Sequence, residues 1–368
     1  MTLTRYMIPG PFKGIITDLP AASDKQVFDD LTNMVCRHGR LQSRPQWVEI
    51  TAPPDGYPIK GMYTFQDALN NYHTIVLTTY NAYFVKLSGG VYSYLLLGNS
   101  YGLTNIFGTG LPYSFIEMDS KFFFCNGSVP IMYSDGSANI QLAGDVPGSA
   151  LYLTENAQQL IGAGWTTPSL GITGSTQYPN LISWSDTANP LGWTSGLSST
   201  AGSIDSIEAG GIITGLSTIG RNTYVLRKVG ASVLYPTGNA SPAYSLEPYM
   251  WSKPGWGNFY PYSLVTYGPF NISVTESAEV LMFDGSNFTQ LSSGKVRGRL
   301  AADLALVDED VVYGFATASM GPGYDFEAYW LSIPGPNVTW VHNLKEGTWQ
   351  RFTSSYGWLT TSARVAVQ

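Results

Sequence analysis

One unit recurs along this chain and constrains its fold more than any other feature. An aromatic-rich strand reaches a short turn, and a second strand follows. His73–Thr79 leads through Tyr80-Asn81 into Ala82–Leu87. Lys121-Phe122-Phe123-Phe124-Cys125 turns at Asn126-Gly127 into Pro130-Ile131-Met132-Tyr133, then Asp135-Gly136. Thr223–Arg227 turns near Gly230 into Ser232–Tyr235. Phe270–Val274 turns at Glu276-Ser277 into Glu279–Phe283, then Asp284-Gly285. Ala328–Ile333 turns at Pro334-Gly335 into Val338–Val341. Pro179–Asp186 is a looser sixth copy. One small sheet cannot bury both of its faces, whereas several arranged radially can. The expectation is an all-β fold, a β-propeller of about six blades, with five to seven compatible with a spacing of roughly 40–60 residues.

Composition supports that reading. The 368 residues are 44% hydrophobic and 14% aromatic, with 40 Gly and 24 Tyr, yet only 12% are charged. Few charges and many aromatics fit short strands and broad surfaces that become covered, and exclude a disordered chain. A net charge of -7 argues against a tight nucleic-acid binder, which needs clustered Lys and Arg. An acidic surface is still suited to a path along which DNA slides. Two isolated cysteines, Cys36 and Cys125, are expected as reduced thiols. The first residues show no apolar secretory run, and no stretch approaches the roughly 18 apolar residues of a spanning helix.

Residues 1–45 read as an N-terminal arm with one short helix, and residues 46–368 as the propeller, closed by N- and C-terminal strands. Ser23 caps the helix with Gln26 three residues on, and Val27, Phe28 and Leu31 share a face up to Met34. Closure is expected to pair the Leu41–Ile50 region with Tyr356–Val367. No further helix is expected, and Lys295, Arg297 and Arg299 alternate as on one face of a strand. Ser195–Ser206 reads as an exposed loop. Glu247–Tyr262 is crowded with aromatics and Pro, and must either pack over the propeller or meet a partner. Tyr249, Met250, Trp251, Trp256, Phe259 and Tyr260 are therefore the expected subunit interface.

No motif points to catalysis, metal or cofactor. His38, His73 and His342 are the three histidines, and none has a second ligand at metal spacing. No nucleophile elbow or phosphate loop occurs. Asp135, Asp186, Asp284, Glu276 and Glu279 lie near strand ends, where turn roles explain them best. The chain is expected not to be an enzyme.

Several phrases in order resemble a known family. Lys13–Pro20 precedes Asp30–Val35, then Gly39-Arg40-Leu41 and Arg44-Pro45. Leu181–Asp186, with Trp184-Ser185-Asp186, is followed by Asn189–Thr194 with Trp193. Glu279–Gly285, with Asp284-Gly285, is followed by Ser293–Val296. Trp340, Asn343 and Gly347-Thr348-Trp349 close the set. The succession resembles the tail nozzle proteins of short-tailed bacteriophages, also called tail tubular protein B. The resemblance implies a hexameric ring of propeller-bearing subunits in the virion tail, below the portal and adaptor, assembled in the host cytoplasm. It implies contacts with adaptor and with tail-fibre or tail-tip proteins, and double-stranded DNA passing through the lumen without sequence-specific binding. The chain is short for a nozzle, which bears on the fibre contacts. The competing expectation is a carbohydrate-binding or glycoside-hydrolysing propeller, which needs two acids about 5–9.5 Å apart at its pore. An intracellular kelch-like interaction module ranks last, because Gly-Gly pairs occur only at Gly89-Gly90 and Gly210-Gly211.

Overall fold

The computed structural model describes residues 13–18, 28, 32–37, 40–43, 52–88, 91–99, 111–167, 176–206, 211–249, 256–321 and 324–353. Its fold is an all-β, six-bladed β-propeller. The chain forms two compact units, Met1–Val48 with Tyr260–Leu359, and Glu49–Phe259 with Thr360–Gln368. Each is described by itself.

The first unit opens with the hairpin β1 (Met34–Arg37) and β2 (Arg40–Ser43). The second unit holds four blades. Blade 1 is β3 (Ile59–Gln66), β4 (Tyr72–Thr78), β5 (Ala82–Ser88) and β6 (Val91–Leu96). Blade 2 is β8 (Ser114–Met118), β9 (Lys121–Cys125), β10 (Met132–Ser134) and β11 (Asn139–Leu142), with β7 (Gly98–Asn99) added in parallel to β11. Blade 3 is β12 (Ser149–Asn156), β13 (Gln159–Thr167), β14 (Thr176–Trp184) and β15 (Gly202–Asp205). Blade 4 is β16 (Ile213–Ile219), β17 (Asn222–Arg227), β18 (Gly230–Pro236) and β19 (Tyr244–Tyr249).

The unbroken apolar run of β9 follows from burial on both faces of its blade. Side chains alternate across a strand, so neighbouring residues enter different cores. Phe122 and Phe124 pack with Phe65, Ile75 and Phe84 of blade 1. Phe123 and Cys125 pack with Leu153, Leu160 and Trp165 of blade 3. On the far side of blade 3, Tyr152, Ile161 and Trp184 meet Leu216, Val225 and Tyr244 of blade 4. A strand buried this way shows no polar alternation, which is why the recurring units read as continuous aromatic runs.

The rest of the first unit holds two blades. Blade 5 is β20 (Val265–Tyr267), β21 (Phe270–Val274), β22 (Val280–Phe283) and β23 (Phe288–Gln290). Helix α1 (Arg297–Leu304) follows. Blade 6 is β24 (Tyr313–Gly321), β25 (Tyr324–Ile333), β26 (Val338–Asn343) and β27 (Trp349–Thr353).

Two expectations are corrected here, and a third, the closing pair, lies largely outside the described residues. The described residues of the expected Ser23–Met34 helix are not helical, and Asn33 takes a φ of +58°. Phe28 bridges Ile15, Thr32 bridges Arg351, and Met34 begins β1. Tertiary pairing overrides a weak local propensity. The outer edge of β27 is not met by Leu41, which pairs with Cys36 inside the hairpin. Instead Ile15 N–H donates to Trp349 O at 2.9 Å and Asn33 N–H to Arg351 O at 2.9 Å, so the arm covers the open edge. Tyr356–Val367 and Arg44–Ile50 lie outside the described residues. Finally, Arg297 and Arg299 stand on a helix, not a strand. Val296, Leu300 and Leu304 recur every fourth residue and are buried at that spacing.

Candidate functional site

The phrase Trp184–Thr194 forms a loop clamp at the end of β14. Trp184 Nε1 donates to Thr200 O at 2.9 Å, and Leu160 N–H donates to Ser185 Oγ at 2.9 Å. Asp186 Oδ1 accepts from Thr200 N–H at 2.8 Å, Thr200 Oγ1 at 2.7 Å and Thr187 N–H at 3.0 Å. These bonds, led by the Thr200 hydroxyl, hold the Asp186 carboxyl below its usual range. Trp193 lies edge-on to Trp165 at 5.6 Å, and its N–H donates to Asp145 Oδ1 at 2.7 Å. Asp145 also accepts from the Thr194 hydroxyl. Gly144 is required beneath this loop, because a Cβ there would sit 1.8 Å from Leu191 O. The expected exposed loop Ser195–Ser206 is in part the strand β15, with Ala201 and Ser206 buried.

The other motif acids also serve turns. Asp284 Oδ1 accepts from Ser286 N–H at 2.8 Å and Asn287 N–H at 2.7 Å, which lowers its pKa, and Gly285 follows with φ +93°. Asp135 accepts from Ser137 N–H at 3.0 Å and Gln141 Nε2 at 3.2 Å. Glu279 is buried, accepts from the Ser292 hydroxyl at 2.9 Å and stands 3.8 Å from Arg297 Nε. Glu276 is exposed in the β21–β22 turn.

In blade 6, Trp349 is fully buried and donates from Nε1 to Leu291 O at 2.8 Å. Trp340 donates to Asp303 Oδ2 of α1 at 2.8 Å, and Arg351 stands 3.4 Å from the same carboxylate. Asn343 accepts from Lys345 and Glu346 N–H, both at 3.0 Å. His342 lies tilted against Trp349, 4.7 Å between centroids. His73 pairs with Asp67 at 2.8 Å, a carboxylate that also caps Leu69 and Asn71 N–H. Both cysteines are buried and neither is in a disulfide, and burial pushes the Cys36 thiol up to about 11.

The expected interface residues separate. Met250 and Trp251 lie outside the described residues, as do Gly39, Arg44 and Pro45, while Tyr249 ends β19 and Arg40 begins β2 as an exposed residue. Trp256 and Phe259 are half-buried, and Lys228 Nζ sits 5.3 Å from the Phe259 ring centroid. Tyr260 is buried in its own unit, which corrects its place in a surface patch.

Three features escaped the sequence reading. Arg227 is fully buried, donating to Gly211 O at 2.7 Å and Asn180 Oδ1 at 3.1 Å, so a buried cation ties the segment before β16 to strand β14. A cleft of about 630 Å³ is lined by Glu117, Asp119, Glu155 and Gln158 at the β8–β9 and β12–β13 turns. Last, strand β6 exposes Val91 (66%), Leu95 (49%) and Leu96 (56%), and carries no charge. Among the described residues no strand pairs with its outer edge. The run Val91-Tyr92-Ser93-Tyr94-Leu95-Leu96 lacks the Lys, Glu or Pro that usually guards such an edge, and that absence is a signal readable in the sequence.

No family model and no curated protein matches the chain. Similar solved structures include the WD40 repeats of RRP9, at 6% identity and TM-score 0.48, covering 84% of this chain and 84% of that one. U3-55K is similar at 6% identity and TM-score 0.45, covering 84% and 85%. The computationally designed Ika8 protein is similar at 9% identity and TM-score 0.41, covering 89% and 81%.

Proposed function

We propose that this chain is a structural protein of a phage tail, a nozzle or tail-tube component of a short-tailed phage. Copies assemble into a ring, six by the family resemblance, that continues the DNA channel below the portal and adaptor. Double-stranded DNA passes through without sequence-specific binding, and a tail-fibre or tail-tip protein is a further neighbour. The site of action is the virion tail, after assembly in the host cytoplasm.

The observation that carries this reading is the exposed, uncharged strand β6 on a chain with only 12% charged residues. Large exposed apolar surfaces mark contacts with other macromolecules. The motif residues support it too. Trp184, Ser185, Asp186, Trp193, Asp284 and Trp349 each stiffen a loop or a blade, as a building block requires. The carbohydrate reading has one specific observation in its favour, the cleft of Glu117, Asp119 and Glu155. Images of the purified full-length protein test the main reading. Rings with a central opening are expected, whereas single particles the size of one chain contradict it. Hydrolysis of oligosaccharides that is abolished by Glu117→Gln or Glu155→Gln would favour the carbohydrate reading instead.

A further inference from the structure

A closed ring needs a heterologous contact, in which two different patches of one chain meet across each junction. Two apolar patches stand out among the described residues. The first is the β5–β6 ribbon. Its Val91, Ser93 and Leu95 lie on one face of the sheet, and the exposed Lys86, cross-strand partner of Ser93, brings the positive charge there. The second is a shallow groove of about 510 Å³ after α1, lined by Leu306, Val307, Val311 and Pro334. Leu306 is 67% exposed. The groove's wall carries Asp308, and Glu309 and Asp310 follow it in the chain, so this rim is acidic. Gly335 lets the β25–β26 turn press against it, since a Cβ there would meet Val307 Cγ1 at 2.4 Å.

The two patches match in three respects. One is an edge ribbon and the other a concave surface. Both expose apolar side chains, Val91 and Leu95 on the ribbon and Leu306 at the groove. The ribbon brings a lysine, and the groove offers carboxylates. We propose that the β5–β6 ribbon of one copy docks in the Leu306–Pro334 groove of a second copy, with Lys86 facing Asp308. The proposal rests on the ring reading and names its junction.

Sedimentation velocity of the full-length chain over a range of concentrations tests it. Leu95→Glu sets a carboxylate against the acidic rim, and Leu306→Lys sets a cation against Lys86. Both positions are exposed, so both variants keep the wild-type circular dichroism spectrum and melting curve. Each alone is expected to sediment as monomer, with association weakened at least tenfold. An equimolar mixture of the two is expected to associate where neither does alone, because one intact ribbon meets one intact groove. Lys86→Glu also weakens assembly, and Lys86→Glu with Asp308→Lys restores it. Wild-type assembly with both variants unchanged overturns the junction and leaves the ring reading standing. A wild-type chain that stays monomeric at every concentration overturns the ring reading and the junction together.

Discussion

His342 is 2% exposed in β26, with no hydrogen-bond partner at Nδ1 and with the Trp349 ring against it. Burial first, and the nearby Lys295 charge second, push its pKa down to about 3. The imidazole is therefore neutral in the fold, while in the unfolded chain it takes a proton near pH 6.5. Above that pH it adds no pH dependence. Below it the unfolded state binds more protons, and stability falls as pH falls toward 3. The slope is about 1.4 kcal/mol per pH unit, so about 2 kcal/mol is lost between pH 6.5 and pH 5. His342→Phe keeps the ring contact and should flatten this part of the profile in urea titrations; a variant profile parallel to wild type would contradict the assignment. Asp186→Ala leaves the Thr200 N–H without its acceptor and should cost about 1–3 kcal/mol by thermal melting. A melt unchanged from wild type would show that the clamp contributes nothing. Asp284 and Asp135 were legible as turn acids because the N–H groups that donate to them lie two or three residues away in sequence. The Asp145–Trp193 bond was not, since it joins residues separated by 48 positions.

At the scale of elements, the recurring unit was legible because it is local. Five of its copies are the second and third strands of a blade: β4–β5, β9–β10, β17–β18, β21–β22 and β25–β26. The sixth, Pro179–Asp186, falls on β14 and the turn after it. Helix α1 was missed because Val296 offers no side-chain cap and Arg297-Gly298-Arg299 dilutes the apolar stripe. The N-terminal helix was misread because that segment pairs outside itself, Phe28 with Gly14 and Ile16, and Thr32 and Asn33 with Arg351 at the far end of the chain. Loop clamps give a second prediction. Gly144 and Gly220 both have positive φ, +69° and +63°, but only Gly144 faces a backbone oxygen, while nothing stands within 4 Å of a Cβ on Gly220. Gly220→Ala should cost about 1–2 kcal/mol for the left-handed backbone alone. Gly144→Ala should cost at least about 2 kcal/mol more, because Leu191 must move. Equal melting temperatures for the two variants would contradict the packing of this loop on the β11–β12 connection.

For the whole molecule, composition spoke before any contact did. A chain with 12% charged residues and 14% aromatics is poorly suited to standing alone in water, and its exposed ribbon is where that shows. The ribbon was legible as a strand but not as a surface, because exposure depends on which edges the rest of the chain covers. The edge of β27 receives the arm and the edge of β11 receives β7, whereas β6, like β15, β19 and β23, receives no strand among the described residues. The net charge of -7 bears on the proposed channel. Double-stranded DNA should show no retention by the assembled protein at physiological salt in filter binding, since phosphate neutralisation needs clustered cations. Salt-sensitive retention would point to a binding surface and not a conduit. The most direct measurement is the native mass of the wild-type chain. The account predicts one closed species at six times the 40.0 kDa chain, and a single species at 40.0 kDa at every concentration would contradict it.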